Sequence, residues 1–240
     1  LADRGTDPLF QSNSVEASAN SLSFVYKAAA EIGELGDNTA ALRADLASDA
    51  LLRRALQSPD ARVALLGHTR WASVGIISEP NAHPVNSAEQ EMPGGATAPY
   101  VVAALNGDVD NHADLRAQYS LRIATPITTD AKVIPMLMSR HLGEGVAPVE
   151  SFRRTVAAFE GSIAIGVATA SAPSTLFLAL RGSGQGLYIG LGDDCFVVAS
   201  EPYGVVEETQ RYVRMDGEQG GEIVMLNGAA AGDLDGIKRL

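Results

Sequence analysis

The sequence is short of several residue types, and each shortage excludes a class of protein. A single cysteine, Cys195, stands among 240 residues, so an internal disulfide is impossible and a reducing, cytoplasmic compartment is expected. No apolar run approaches the ~20 residues of a membrane span, and no secretory signal opens the chain. Lysine and arginine number 18 against 29 acidic residues, and a net charge of −11 argues against nucleic acid as a partner. We therefore expect neither a membrane nor a nucleic acid.

Metal and phosphate motifs are also lacking. The four histidines are scattered, and no Cys/His pattern has the spacing of metal ligands. No glycine-rich phosphate loop with a following lysine occurs. The sequence therefore predicts neither a metal nor a cofactor. The overall composition, with 46% hydrophobic and 20% charged residues, is ordinary for a globular protein. The chain is long enough for one large domain or two small ones.

The first quarter of the chain is rich in alanine and leucine. Apolar residues from Leu22 to Leu35 recur at three- and four-residue spacing, which predicts an amphipathic helix. Gly36-Asp37-Asn38 interrupts the pattern, and leucines from Leu42 to Leu56 predict a second helix that ends near Ser58. Together they form a helical segment at about 15–58.

Short apolar runs predict strands, and longer periodic stretches predict helices, in the rest of the chain. Val63–Leu66 and Tyr100–Leu105 have the length and composition of buried strands. Helices are expected around 112–119, 133–142 and 148–159. Further strands are expected in the β-rich remainder, at 162–168, 175–180, 187–191, 195–200, 212–215 and 222–226. Several are apolar on both faces, so their sheets should be covered on both sides, and Cys195 should be a small core residue within one of them.

Three polar clusters are candidate functional sites. Gly67-His68-Thr69-Arg70-Trp71-Ala72-Ser73 follows a predicted strand, and the Arg70–Trp71 pair could hold a carboxylate. On those residues alone, a structural ion pair and a core tryptophan are the favoured alternative. Asn106-Gly107 is by itself a turn signal, and Asp130 by itself is a helix cap, which does not exclude a ligand contact.

Taken together, motifs in a fixed order resemble a known family. They are Arg4-Gly5, the Gly67–Ser73 motif with Asn81-Ala82-His83-Pro84, Asn106-Gly107, and Thr129-Asp130. This order resembles the glutaminase half of class II glutamine amidotransferases, and most of all the glutamine–fructose-6-phosphate aminotransferase (glucosamine-6-phosphate synthase) type. The resemblance covers almost the whole chain and is weakest over 12–60, where this sequence is longer than the family's common form. The helical segment at about 15–58 is therefore expected to be an insertion. It implies an α+β fold, a four-layer αββα sandwich of the N-terminal-nucleophile hydrolase type, with one glutaminase domain over 1–240.

The resemblance also implies a chemistry for the matching residues. In the family a processed N-terminal cysteine attacks the side-chain amide of glutamine, with its own α-amino group as base, and water resolves the thioester. Asn106 and Gly107 would form the oxyanion hole, Arg70 would bind the α-carboxylate and Asp130 the α-ammonium. Trp71 and Ser73 would also be substrate-binding residues and would line the pocket. Arg4, near the nucleophile, and His83, which would order the long loop, would be supporting residues.

Two departures from the family pattern qualify this expectation. The family's cysteine would lie about twenty residues before the arginine-glycine that Arg4-Gly5 resembles, so the nucleophile is expected outside the chain, which is then N-terminally truncated and inactive by itself. Val74 stands where close relatives often have histidine. The resemblance implies ammonia transfer to fructose 6-phosphate, giving glucosamine 6-phosphate, by a C-terminal sugar-isomerase domain of the same polypeptide, and it leaves open a homodimer through that half. A glutaminase for another acceptor and a non-catalytic ligand-sensing or interaction module remain as alternatives.

Overall fold

The structure is a computed structural model of the chain. It describes residues 8–18, 21–29, 36–69, 73–89, 98–182, 184–218 and 220–240.

A six-stranded antiparallel sheet forms the centre of the fold. Its strand order is β11-β10-β6-β5-β4-β3. The strands are β3 (Val85–Asn86), β4 (Val101–Gly107), β5 (Ile163–Thr169), β6 (Thr175–Arg181), β10 (Glu222–Asn227) and β11 (Ile237–Arg239). The register of β4 on β5 pairs Asn106 with Ala164 and Gly107 with Ile163. The predicted strands at 100–105, 162–168, 175–180 and 222–226 are therefore confirmed.

Three helices cover one face of this sheet, namely α3 (His112–Gln118), α4 (Val133–Gly143) and α5 (Pro148–Ala157). Alternate residues of β4, Val101, Ala103 and Leu105, pack in the same core as Ile134 and Phe152 of the helices. A short 3-10 turn, Asp130–Lys132, leads directly into α4. The three helices predicted after residue 110 are therefore confirmed. Their prediction succeeded because each has an apolar stripe that packs on this sheet.

A second, three-stranded antiparallel sheet lies against the other face. It consists of β7 (Tyr188–Leu191), β8 (Phe196–Ala199) and β9 (Tyr212–Arg214) in the order β8-β7-β9. Leu178 and Val224 of the large sheet share a core cluster with Ile189 and Met215 of this region. A Cβ on Gly190 would lie 2.6 Å from the Val205 side chain, so the helical turn α6 (Tyr203–Val206) packs on the outer face. The described chain is therefore an α+β helix–sheet–sheet–helix sandwich, as the resemblance implied.

The first quarter of the chain differs from its prediction. A hairpin of β1 (Ser14–Ala17) and β2 (Leu22–Val25) stands where the first helix was expected, and residues 30–35 of that helix lie outside the described residues. The helical spacing of the apolar residues gave a wrong prediction here. The pairing of Leu22–Val25 with Ser14–Ala17 outweighs the local helical pattern. The second helix is confirmed but divides into α1 (Asp37–Ser48) and α2 (Ala50–Leu56). Asp49 separates them, and its carboxylate accepts the N–H groups of Leu51 (2.8 Å) and Leu52 (3.0 Å) as an N-cap.

Two further expectations are wrong. No strand forms at Val63–Leu66 in the described part of the chain, and Val63 and Leu65 are 67% and 78% exposed. A short apolar run is compatible with a strand, but a strand also needs a neighbouring strand to pair with, and the run carries no information about that neighbour. Cys195 is exposed in the β7–β8 turn and precedes β8, so it is not a core residue.

In the described ranges, no helix has both the length and the apolar character needed to cross a lipid bilayer.

Candidate functional site

A cavity of about 390 Å³ opens where β4 ends, between the two sheets. Asn106, Gly107 and Asp130 line one side of it, and His68 and His83 line another. The structure thus brings Asn106 and Gly107 together with Asp130, which follows Asn106 by 24 positions in the sequence. A pocket of this volume is of the size that small molecules occupy in proteins.

Asn106 and Gly107 are the last two residues of β4, not a turn as the sequence pattern alone indicated. Asn106 pairs with Ala164, whose side chain packs between the sheets, so Asn106 faces the same side and reaches the cavity. Gly107 has φ +116°, and a Cβ there would collide with the carbonyl oxygen of Ser162. The position therefore requires glycine for both backbone and steric reasons.

Asp130 begins the 3-10 turn before α4, and it is only 4% exposed. Its carboxylate accepts the backbone N–H of Val109 at 2.8 Å and the hydroxyl of Thr129 at 3.3 Å. These bonds fix the carboxylate between the segment that follows β4 and the start of α4. The acceptor sites that they leave on the carboxylate can receive a ligand donor.

His83 is buried beside β4 and contacts it directly. Its Nδ1 accepts the N–H of Leu105 at 3.4 Å, and its Nε2 lies 3.4 Å from the hydroxyl of Thr129. An accepting Nδ1 assigns the neutral tautomer with the proton on Nε2. The imidazole rings of His83 and His68 lie 4.7 Å apart. His83 thus holds the loop at 81–84 against the strand that carries Asn106.

Asn81 belongs to the Asn-Ala-His-Pro motif, but sequence reasoning gave it no role. It is fully buried. Its Oδ1 accepts the N–H groups of Thr128 (2.7 Å) and Thr129 (2.9 Å), and its Nδ2 donates to the carbonyl of Pro126 at 3.0 Å. The side chain therefore holds the segment that leads into Asp130. The motif itself was the available signal, because an asparagine there offers both a donor and an acceptor.

The pair formed by the buried Lys132 and the partly exposed Glu89 lies behind Asp130. The Lys132 ammonium donates to the carbonyl of Asn86 at 2.6 Å and to the Glu89 carboxylate. Burial lowers the pKa of Lys132, and the neighbouring Glu89 carboxylate acts in the opposite direction. The pair anchors the 3-10 turn that carries Asp130, and it was not identified from the sequence.

The segment after the tryptophan motif also reaches the cavity. Ser73 is exposed and lines the cavity, and its hydroxyl donates to the carboxylate of Asp108, the residue after Gly107. Thr69, on the other side of the motif, lines the cavity as well. The predicted site residues Arg4, Arg70 and Trp71 lie outside the described residues.

The second sheet closes the cavity from the opposite side. Val198 and Ala199 at the end of β8 line it, followed by Ser200 and Glu201. Glu201 adds a carboxylate that sequence reasoning did not include. Cys195 lies at the other end of β8, where its carbonyl accepts the N–H of Gly192 at 3.0 Å, and it is not among the lining residues.

The arrangement fits a reaction on an amide or ester carbonyl. It combines an amide side chain and a backbone N–H at the end of one strand with a buried carboxylate, a combination that can bind an oxyanion and an ammonium group. Among the described residues, no group of three or more His, Cys, Asp or Glu side chains could hold a metal ion.

Comparisons with known proteins concern the family to which the chain belongs. The profile of a family described as "Glutamine amidotransferase domain" matches residues 81–207. Glutamine–fructose-6-phosphate aminotransferase (isomerizing) of Geobacillus kaustophilus is 34% identical over 154 residues, which are 64% of this chain and 24% of the relative. The enzyme of the same name from Bacillus subtilis is 32% identical over 150 residues, which are 62% of this chain and 23% of the relative. The chain thus spans about a quarter of the length of these relatives.

A solved structure supports the fold. Glutamine phosphoribosylpyrophosphate amidotransferase from B. subtilis, in complex with ADP and GMP, superposes with a TM-score of 0.53. The match is 22% identical and covers 72% of this chain and 33% of that chain. The profile match spans more than half of the sequence and contains Asn81, His83, Asn106, Gly107 and Asp130. The chain belongs to the glutamine amidotransferase domain family.

Proposed function

We propose that this chain is a glutaminase domain that hydrolyses L-glutamine to glutamate and supplies the ammonia to a sugar phosphate. The observation that carries the proposal is the single cavity shared by Asn106, Gly107 and Asp130. The names of the curated relatives support fructose 6-phosphate as the acceptor. The transfer to glucosamine 6-phosphate would take place on a C-terminal sugar-isomerase domain of the same polypeptide.

The proposed oxyanion hole consists of the Asn106 side chain and the Gly107 backbone N–H. Both belong to the last two residues of β4, which pair with Ala164 and Ile163 of β5, so this pairing holds the donors in place before the substrate arrives. Strand β3 pairs with β4 only at Val102 and Ala103. Preorganised donors of this kind stabilise the charge that develops on the carbonyl oxygen in the transition state. The glycine lets the backbone approach the carbonyl oxygen of Ser162 closely at this point.

The proposed amino-acid clamp consists of Arg70 for the α-carboxylate and Asp130 for the α-ammonium, with Trp71 and Ser73 as pocket wall. Asp130 supports this role because its carboxylate is buried, fixed by Val109 and open to the cavity. For Arg70 the support is that its described neighbours Thr69 and Ser73 both line the cavity.

We propose that the nucleophilic thiol and its α-amino base come from residues outside 1–240, with Arg4 beside them. Cys195 does not serve, because it lies at the far end of β8 from the cavity. His83 is not the base in this scheme. Its ring nitrogens face Leu105 and Thr129, which supports a positioning role in ordering the loop.

The test is glutamate release by a chain extended with the upstream residues of its gene. We expect activity there and none from residues 1–240 alone. Arg70→Ala and Asp130→Asn should each raise KM for glutamine by roughly 10–100-fold, since a hydrogen bond to a charged group contributes about 1.5–3 kcal/mol. The matched controls Arg43→Ala and Asp60→Asn change exposed residues and should leave KM unaltered.

Three results would contradict the proposal or a part of it. An unchanged KM in both Arg70→Ala and Asp130→Asn would remove the clamp. If the extended chain bound glutamine but released no glutamate, the enzyme assignment would fall in favour of a ligand-sensing module. Glutamate release that did not respond to fructose 6-phosphate in the full polypeptide would point to a different acceptor.

A further inference from the structure

A second cavity of about 340 Å³ lies between the end of β2 and helix α1. Lys27 lines it and is only 4% exposed. In the part of the chain that the structure describes, the Lys27 ammonium has neither a hydrogen bond nor an ion pair. Buried lysines are otherwise paired, because removing an ammonium from water without compensation is costly. An unpaired ammonium that lines a cavity indicates a site for an anionic group.

The walls on either side of Lys27 are held in place by specific hydrogen bonds. The Lys27 N–H donates to the Ser12 hydroxyl at 2.8 Å, which ties the end of β2 to the segment before β1. The Tyr26 hydroxyl donates to the Asp49 carboxylate at 2.6 Å, which ties the same strand end to the junction of α1 and α2. The cavity is therefore bounded by segments that are fastened together. It is open to solvent, and the lining residues Asp37, Asn38 and Glu79 are exposed.

The other charged residues that line the cavity are acidic. They are Asp37 and Asp45 of α1, together with Glu79. Lys27 is the one cation among the described lining residues. Lys132 lies close by but is paired with Glu89. A purely anionic ligand would meet three carboxylates, and a purely cationic ligand would meet Lys27, so the charge pattern favours a ligand that carries both signs.

We propose that this cavity binds a small zwitterion, whose carboxylate or phosphate pairs with Lys27 and whose ammonium group pairs with the carboxylates of Asp37, Asp45 and Glu79. The volume suits a molecule of a few to a dozen heavy atoms. The site shares no described lining residue with the cavity at the end of β4, so it is separate from the proposed glutaminase site.

The protonation of Lys27 fits this role. Burial, and secondarily the charge of Lys132, lower the pKa of Lys27 to about 8, while Glu89 and Glu79 act in the opposite direction. Below that pH the folded protein carries an ammonium at the cavity wall. An anionic ligand stabilises this charged form, so it should raise the pKa of Lys27, and it should bind more weakly as the pH rises through 8.

Calorimetric titration of the full chain at pH 7 tests the proposal with matched small molecules. The zwitterions are β-alanine and O-phosphoethanolamine, which distinguish a carboxylate from a phosphate. The single-charge analogues are propionate, ethyl phosphate and propylamine. We expect at least one zwitterion to bind at least ten-fold more tightly than its single-charge analogues.

Variants then locate the binding. Lys27→Met should weaken the bound zwitterion at least ten-fold, and Glu79→Gln should weaken it in the same direction. Lys238→Met removes an exposed lysine elsewhere and should have no effect, and Asp130→Asn should have none because it alters the other cavity. NMR of lysine labelled at Cε in the unaltered protein should show the pKa of Lys27 rising when the zwitterion is added, a readout that does not depend on a variant folding.

The proposal is overturned if no zwitterion binds in the millimolar range. It is also overturned if an analogue of one charge binds as tightly as the zwitterion, or if binding survives Lys27→Met. A Lys27 resonance that does not respond to a zwitterion that binds would place the ligand elsewhere and would equally refute the site.

Discussion

The two cavities of this protein treat a buried charge in opposite ways. Asp130 and Lys27 are equally buried, each 4% exposed. The Asp130 carboxylate accepts hydrogen bonds from Val109 and Thr129, whereas the Lys27 ammonium has no such partner among the described residues. The first group has hydrogen-bond donors within the fold, while the charge of the second is maintained at the expense of folding stability. The difference separates a preorganised site from a site that only a ligand completes.

The surroundings of the two cavities explain this difference. The Asp130 cavity is built on β4 and α4, which pack in the main hydrophobic core. The Lys27 cavity is built on a hairpin of four-residue strands and on helix α1. None of the residues of α1 is buried. A packed core holds donors and acceptors at fixed distances, and a thin layer of short elements does so less well.

The largest expected effect concerns the first cavity. Asn106→Ala, in the upstream-extended chain, should lower kcat for glutamine hydrolysis by roughly a hundred- to a thousand-fold, because it removes one of the two proposed oxyanion donors. KM should change little, since the donor acts in the transition state. Steady-state kinetics of glutamate release measure both. Asn38→Ala, in the wall of the Lys27 cavity, is the control, and an equal loss there would break the distinction between the two cavities.

A second prediction tests the hydrogen bonds that stabilise the first cavity. Asn81→Ala leaves the buried N–H groups of Thr128 and Thr129 without their acceptor, so it should lower the free energy of unfolding by about 3 kcal/mol. Urea denaturation measures the change. Asn227→Ala removes an exposed cap of the Ala229 N–H and should cost only about 1 kcal/mol. Equal losses would mean that the segment before Asp130 is not held by Asn81.

The smallest expected effect concerns the second cavity, and it is an increase in the free energy of unfolding instead of a loss. Lys27→Met removes a buried ammonium, so it should raise the free energy of unfolding at pH 7, by about 3 kcal/mol at most. The pKa of Lys27 is lowered to about 8 when folded, from its ordinary 10.5. Below pH 8 both states are protonated and the penalty on the unaltered protein is complete. As the pH rises from 8 to 10.5 the folded state loses this proton first, which relieves the penalty and shrinks the advantage of the variant.

Denaturation of Lys27→Met and Lys238→Met at pH 7 and pH 10 measures this trend. Lys238 is exposed, and its replacement should change little at either pH. Destabilisation by Lys27→Met at pH 7 would show that Lys27 is stabilised within the folded protein, and the contrast between the two cavities would then be lost.

Much of the fold could be predicted because the strong patterns lie where local sequence and burial agree. Successive side chains in the strands of the large sheet point alternately into two hydrophobic cores. Helix α5 begins with Pro148, and Asp130 precedes α4, and both residue types favour the start of a helix. The motifs around Asn106 and Asp130 could be connected through the family resemblance, whereas each alone indicated only a turn or a cap. Asn81 received no role because its partners lie 45–48 positions away along the chain.

The amino-acid sequence by itself determined the α+β class, the order of the later strands and helices, and the family to which the chain belongs. Only the tertiary structure decided that Leu22–Val25 is a strand, that Val63–Leu66 is unpaired and exposed, and that Cys195 lies away from the cavity. Periodicity records which face of a segment prefers burial, but not which partner covers it. The burial of Lys27 shows this most clearly, because a lysine in a sequence carries no sign that the fold will bury it without a direct ion pair among the described residues.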